Sequence, residues 1–326
     1  MKVLITGGMG VIGSTVSRTF VHEGYRPVLM ARHLDRDLIR PIEDKVDIEL
    51  GDVLDFPRVL SILQSYNVTH VIHLAALIGA LSNKNPPQSI KINVIGTLNI
   101  LEAARFMKVR RVIYMSAKGV YGHIDGEYAH PTYRPLTEDH PKNPVRIYES
   151  AKLMGEHIGE FYQRTYGLEF AALRASSSYG PGKTVRHGGM AVVSKIIEGA
   201  HAGNPVKISK GADQKNDFIY NKDIAHGIYL ACTASRLNHT AYNLGTGVGV
   251  TLGDVAAEVT RVIPQADIEI GPGLHYMEGP THYYCIYDVT RARQDLGFSP
   301  QFTLSGSIED YIETLQELGP EKREGE

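Results

Sequence analysis

Tyr148 and Lys152 stand four apart in the run Tyr148-Glu149-Ser150-Ala151-Lys152, so on a helix their side chains share one face. An ammonium about 4 Å from a phenolate, at an effective dielectric constant of about 20, is worth roughly 4 kcal/mol, or about three pKa units. A phenol that ordinarily titrates near 10 would then work near neutrality, taking a proton from a hydroxyl or returning one to a carbonyl oxygen. On an exposed helix such a pair would be a coincidence of surface residues. Useful chemistry needs a hydride acceptor, and elements that place it beside the phenol.

The start of the chain offers that acceptor a seat. Val3, Leu4 and Ile5 have no helical face and suit a strand buried on both sides; Thr6 ends the run, and Gly7, Gly10 and Gly13 follow at a fixed interval. Gly7 permits a sharp turn, Gly10 leaves no side chain between backbone and a pyrophosphate, and Gly13 lets the next helix lie close on the sheet. That helix is apolar-periodic through Val11, Ile12, Thr15, Val16, Thr19 and Phe20 and stops at Gly24. Its first N–H groups would face an anion. A glycine triplet alone fits a plain turn, but after a strand and before an apolar helix it points to a dinucleotide.

Further strand ends follow in order. Residues 27–31 end at Ala31-Arg32 with no carboxylate until Asp35, and 46–50 end at Gly51-Asp52-Val53. An acid at the second strand's tip would suit the ribose 2′-hydroxyl of NAD and a cation the NADP phosphate, so NADP is slightly favoured over NAD. Residues 70–74 run into Ala75 and Ala76, small enough for a cofactor to lie on the backbone; His73, apolar on both sides, reads as a packed strand histidine. The polar, proline-bearing loop 79–87 reads as a lip, and Ile90, Asn93, Val94, Thr97, Leu98, Leu101 and Ala104 as one helical stripe. A fifth strand, 111–115, delivers Ser116-Ala117-Lys118-Gly119-Val120-Tyr121-Gly122.

The G-x-x-G-x-x-G spacing, Asp52-Val53, His73-Leu74-Ala75-Ala76, Asn93-Val94-Ile95-Gly96-Thr97, Val120-Tyr121-Gly122 and the Tyr148/Lys152 pair together resemble the extended short-chain dehydrogenases of the NAD(P)-dependent epimerase/dehydratase family. The resemblance covers nearly the whole chain. It implies an α/β fold, a Rossmann-type doubly wound parallel sheet with a smaller, interleaved C-terminal substrate domain. Residues 1–174, with 221–247 returning, would bind the dinucleotide; 175–220 and 248–320 would bind substrate, and 321–326 would be a frayed charged tail. Tyr148 would be the general acid/base, Lys152 would lower its pKa and hold the ribose, Asp52 would accept from the adenine amine, and Asn93 would brace the backbone. Cofactor contacts would extend over Val11, Ile12, Arg32, Val53, Leu74, Ala75, Ala76, Met115 and Ser176.

The chain departs from the family pattern at the substrate end. Ala117 stands where a Ser or Thr usually polarises the substrate oxygen, which leaves Ser116 as an uncertain third catalytic member. Lys118-Gly119 replaces the dehydratases' Asp-Glu pair, disfavouring dehydration. Ser177 takes the place of a substrate-binding Asn, and Asn216 that of an Arg gripping a nucleotide-sugar diphosphate. A smaller polyol, free sugar, sugar acid or other hydroxy-ketone gains ground as substrate, touched by candidates among Ala117, Lys118, His123, Tyr133, Ser177, Arg186, His187 and Asn216; the loop histidines also read as simply solvated. The main reading is an oxidoreductase acting at a secondary alcohol or ketone. The alternatives are an epimerase with a transient keto intermediate, and an NAD(P)-binding regulator with weakened catalysis.

Composition sets the frame. The 326 residues are 43% hydrophobic and 21% charged, and 34 basic against 36 acidic side chains give no global pull toward nucleic acid or membranes. Cys232 and Cys285 are too few for a disulfide framework, lack metal-ligand spacing and read as buried thiols. No export or membrane-spanning run is visible, so a cytoplasmic protein is expected. The apolar helices at 98–107 and 148–162 resemble a family dimer contact, implying a homodimer. Further expectations are helices at 221–234, 252–263 and 304–318, a strand and turn at 241–245, and strands at 268–270 and 283–287. Tyr276, Tyr283, Tyr284 and Tyr287 form either a substrate wall or core.

Overall fold

Short β-branched and aliphatic runs bounded by turn residues become strands, and the longer amphipathic stretches between them become helices. The computed structural model describes residues 1–187, 191–277, 279 and 281–319; the expected frayed tail, 321–326, lies outside them. The strands are β1 (Val3–Thr6), β2 (Val28–Ala31), β3 (Asp47–Leu50), β4 (His70–His73), β5 (Arg111–Ala117), β6 (Glu169–Ala175), β7 (Ser177–Tyr179), β8 (Val206–Ile208), β9 (Phe218–Tyr220), β10 (Ala241–Leu244) and β11 (Ile268–Ile270). The α-helices are α1 (Val11–His22), α2 (Phe56–Ser65), α3 (Gly79–Lys84), α4 (Pro86–Ile90), α5 (Gly96–Phe106), α6 (Ile147–Tyr166), α7 (Lys183–His187), α8 (Val192–His201), α9 (Asn221–Thr233), α10 (Leu252–Val262), α11 (Thr290–Leu296) and α12 (Leu304–Leu318).

Seven strands form one parallel sheet in the order β10-β6-β5-β4-β1-β2-β3. The chain winds outward from β1 to β3, then from β4 the other way, so the order reverses between β1 and β4. Crevices at such a switch point open at the carboxyl ends of the strands. One face of the sheet packs on α1 and α9 around Ile5, Phe20, Leu29 and Ile228; the other packs on α2, α5 and α6 around Leu4, Val59, Leu101 and Phe170. Each fully buried side chain of this size contributes about 1.5–3 kcal/mol relative to exposure. A further cluster joins α8, α10 and α12 with the two-stranded pairs β8–β11 and β7–β9.

Three sequence expectations change. The stretch 79–87, expected as a loop, folds into α3 and α4. The helix expected through Ile90 to Ala104 is interrupted: α4 ends at Ile90, Lys91–Ile95 is a π-helical turn, and α5 begins at Gly96. A Cβ on Gly96 would lie 2.5 Å from Val53 Cγ2, so this glycine lets the helix press on the segment that follows β3. Residues 283–287 form no strand; Tyr287 makes a single bridge to Leu136. Tyr284 and Tyr287 are core residues there, 3% and 1% exposed.

The helix that carries the Tyr148/Lys152 pair is held unusually close to the sheet. Gly155 and Gly159 lie on the same stripe of α6; a Cβ on them would fall 2.4 Å from the Tyr114 hydroxyl and 2.2 Å from Phe170 Cζ. Glycine costs about 1 kcal/mol against alanine inside a helix. Here it lets α6 approach β5 and β6 until Lys152 reaches the backbone of Met115.

Candidate active site

A cleft of about 1340 Å³ opens over the carboxyl ends of the strands, large enough for a dinucleotide and a small second molecule. Gly7, Gly10, Val11, Ile12, Gly13, Arg32, Asp52, Val53, Leu74, Ala75, Ala76, Met115, Tyr148, Lys152 and Ser176 all line it. Gly7 adopts φ +69°, where a side chain is strained, and a Cβ there would meet Ala75 N at 3.0 Å; a Cβ on Gly13 would meet Gly7 O at 2.0 Å. No side chain caps the N-terminus of α1 and its first turn holds no acid, so its backbone N–H groups are left for an anion. These features fit a dinucleotide pyrophosphate. Asn93 stands behind the wall: its amide oxygen accepts from Leu77 N at 2.8 Å and its amide donates to Leu77 O at 2.9 Å, pinning the segment after β4. His73 is a core residue, bonded to Thr6 Oγ1 at 2.7 Å and Thr97 Oγ1 at 3.1 Å.

Lys152, 2% exposed, donates to Met115 O at 2.7 Å, and its ammonium stands 4.6 Å from the Tyr114 ring centre and 5.9 Å from that of Tyr148. Burial pulls the ammonium down to about 7, against an upward pull from Glu156. Burial, then the neighbouring Glu149, pushes the Tyr148 phenol above its ordinary value. The two groups share one helix face and one cleft, as the spacing implies, while burial shifts the phenol up rather than down. At this separation, loss of hydration outweighs attraction to the amine.

The substrate end rearranges several expectations. Ser116 is not a free third member: its hydroxyl donates to Glu156, which forms a buried bidentate pair with Arg174 at 2.6 and 3.0 Å. Ser116 and Ala117 both line the cleft, but the Ser116 hydroxyl is committed to that pair and strand alternation sets the two side chains on opposite faces. His123 is exposed, accepts from His282 N at 3.1 Å and does not line the cleft. Tyr133 is 6% exposed, and its hydroxyl accepts from Gln214 Nε2 at 2.6 Å, making it a strut. Arg186 and His187 fall in α7, with side chains outside the described ones. Asn216 is fully buried behind the wall, donating to Ser177 Oγ and Tyr276 Oη, both at 2.8 Å. Lys118 and Ser177 do line the cleft, with Tyr276 and Tyr283.

Two groups escaped the sequence reading. Lys183 is 5% exposed yet lines the cleft; nothing in the spacing of Gly180-Pro181-Gly182-Lys183 signals that its ammonium turns inward. Glu149 reads from sequence only as the residue between tyrosine and serine. It is 8% exposed, and a Cβ on Gly119 would fall 2.2 Å from its Cγ, so its side chain fills the space that residue 119 leaves open. Burial raises its carboxyl above the usual range.

Residues 3–245 match the NAD dependent epimerase/dehydratase family, three-quarters of the chain. The chain belongs to that family. Its relatives include the UDP-glucose 4-epimerase of Mycolicibacterium smegmatis, 28% identical over 96% of this chain and 98% of that one. A dTDP-glucose 4,6-dehydratase of Escherichia coli is 27% identical over 96% and 92%. Among solved structures, UDP-glucose 4-epimerase from Thermotoga maritima with UDP-glucose superposes with a TM-score of 0.84 at 26% identity, covering 97% of this chain and 99% of that one. The Thermus thermophilus UDP-glucose 4-epimerase complex with NAD gives 0.81 at 26% identity, with the same coverage. The fold and family are those of enzymes of the short-chain dehydrogenase/epimerase type. Against the family pattern, this epimerase/dehydratase member keeps the glycine cradle and the Tyr148/Lys152 pair. It lacks the polarising hydroxyl at 117 and the cation at 216, and it brings the Glu149 carboxyl over Gly119.

Proposed function

We propose that the protein is an NAD(P)-dependent oxidoreductase that moves hydride at a secondary alcohol or ketone of a sugar-like substrate. One observation carries the reading: Tyr148 and Lys152 share the wall of the cleft that holds the uncapped start of α1. The glycine turn and α1 would hold the pyrophosphate, Asp52 and Val53 the adenine side, and Lys152 the ribose nearer the reaction. A nicotinamide bound there would supply the hydride chemistry, accepting hydride from a carbinol carbon or returning it to a carbonyl carbon. Tyr148, its phenol shifted up by burial, suits proton donation to a carbonyl oxygen. In the oxidative direction it must first lose its proton, and Lys152, in the same cleft, is the cation placed to favour that loss whenever it is charged. Ala117 supplies no second donor, so a substrate group or water must, or turnover is slow.

The alternative is an epimerase, supported by the UDP-glucose 4-epimerases among the relatives, in which oxidation and re-reduction leave no net change in cofactor. Protein loaded with NAD or NADP and given a sugar panel separates the two: net reduced-nicotinamide absorbance means dehydrogenase, isomer formation without it means epimerase. Tyr148→Phe should lose at least about 10²-fold in kcat, the usual contribution of a positioned acid/base. Unchanged turnover would remove Tyr148 from the chemistry, and no turnover in the parent protein on any probe would favour a cofactor-binding regulator. Exposed Arg32 and His33 at the tip of β2 support a preference for NADP, read by comparing the two dissociation constants. Residues 175–220 and 248–319 would carry substrate specificity. Phe106, Met154, Phe161 and Tyr166, between 44% and 57% exposed on α5 and α6, support a homodimer, and a monomer by sedimentation would contradict it. Two buried free cysteines agree with a reducing, cytoplasmic setting.

A further inference from the structure

At the substrate end of the cleft two lysines are sunk into the wall with only neutral partners. Lys118 is 9% exposed; its ammonium donates to Ser177 Oγ at 2.7 Å and to Asn216 Oδ1 at 3.0 Å. Lys183 is 5% exposed; its ammonium donates to Ser178 Oγ at 2.6 Å and to the Ser178 carbonyl. Neither is ion-paired with a carboxylate among the described residues. Asp217, a carboxylate that bears on Lys118, is spent on the backbone N–H groups of Thr246, Gly247 and Tyr287 and on two hydroxyls.

An ammonium has three donors, and among the described residues each of these uses two. Ser177 Oγ accepts from both Lys118 and Asn216, at 2.7 and 2.8 Å, so both its lone pairs are engaged and its own hydrogen is free to donate. Buried charge without a counter-ion is costly, and two like charges beside one another cost more. Burial lowers both amines, and Lys118 adds to the fall at Lys183, which reaches about 7. An anion placed between them would remove that penalty. Lys118 and Lys183 line the same cleft as Tyr148, so the anion would lie in the cleft where the reacting carbon sits.

We infer that the substrate carries an anionic group, a carboxylate or a phosphate, held by the ammonium groups of Lys118 and Lys183 and by the Ser177 hydroxyl. This rests on the oxidoreductase reading and deepens it: the substrate is an acidic hydroxy compound such as a sugar acid or a sugar phosphate. The site differs in kind from an arginine grip on a nucleotide diphosphate, since Asn216 occupies that position and serves here to hold Lys118 and Ser177.

The test is calorimetric binding to NAD(P)-loaded, full-length protein, with matched probes: D-gluconate and D-glucuronate, D-glucose 6-phosphate, and neutral D-glucitol and D-glucose. Either the carboxylates or the phosphate should bind at least about tenfold more tightly than the neutral partners, and the arm that wins identifies the group. Lys118→Met and Lys183→Met should each weaken that probe by about tenfold to hundredfold, while Lys183→Arg restores part of the loss and NAD(P) affinity stays unchanged. Equal binding of charged and neutral probes overturns the inference, as does undiminished anion binding in both Met variants whose melting matches the parent protein. Because the readout is binding, anions held without turnover would count against the oxidoreductase reading alone.

Discussion

At the scale of single residues, the Tyr148/Lys152 spacing was legible because a helix makes positions four apart neighbours whatever surrounds them. The phenol's pKa was not, since its sign depends on how much water the fold removes from each group, and burial has no signature in a four-residue spacing. Ser116 and Ala117 show the same limit in a resolvable form. Strand alternation already separates their faces, but only the structure shows Ser116 donating to the buried Glu156–Arg174 pair. Ser116→Ala should therefore leave kcat and KM unchanged while lowering stability by about 1.5–3 kcal/mol, the worth of a hydrogen bond to a charged group, read by urea unfolding. Ala117→Ser, on the cleft face, should act the other way, raising kcat toward the order of 10²-fold that one polarising donor supplies, with little effect on melting. A collapse of turnover in Ser116→Ala would restore that residue to the reacting centre.

At the scale of elements, strands of the large sheet such as β1 and β2 could be read because each is a short apolar run that stops at a small residue or just before a glycine. The three-residue strands β7, β8 and β9 carry no period to detect and exist through pairing with distant partners. The π-helical turn at Lys91–Ile95 was hidden for another reason: it preserves an apolar stripe while shifting its phase, so Asn93 can reach Leu77. The β1–α1 connection is the element on which cofactor binding depends. Its geometry is set by Gly13, whose added Cβ would meet Gly7 O at 2.0 Å. Gly13→Ala must push the start of α1 off the turn, at an overpacking cost of about 1–3 kcal/mol. Its NAD(P) dissociation constant should rise by about 5- to 150-fold in a fluorescence titration, with the far-ultraviolet spectrum retained. Unaltered affinity would mean that the pyrophosphate is held elsewhere.

At the scale of the whole molecule, the central strand β4 links the sheet to acid stability. His73 is 1% exposed between Thr6 of β1 and Thr97 of α5, and burial, with the Lys152 charge nearby, lowers it from 6.5 to about 3; His70, at the other end of the strand, falls to about 4, mainly through burial. A histidine whose folded pKa is depressed binds fewer protons folded than unfolded, so its stabilisation is complete above 6.5 and drains away as pH falls toward the folded value. At pH 5 the unfolded chain has already gained the proton and the folded chain has not. His73 alone then costs about 2 kcal/mol relative to pH 7, with His70 adding in the same direction. Urea unfolding at the two pH values should show the drop. In His73→Gln, whose amide can still bond Thr6 and Thr97, the drop should shrink by about that amount. An unchanged pH difference in this variant would show that the imidazole takes up its proton without unfolding, and that the sheet around β4 admits water.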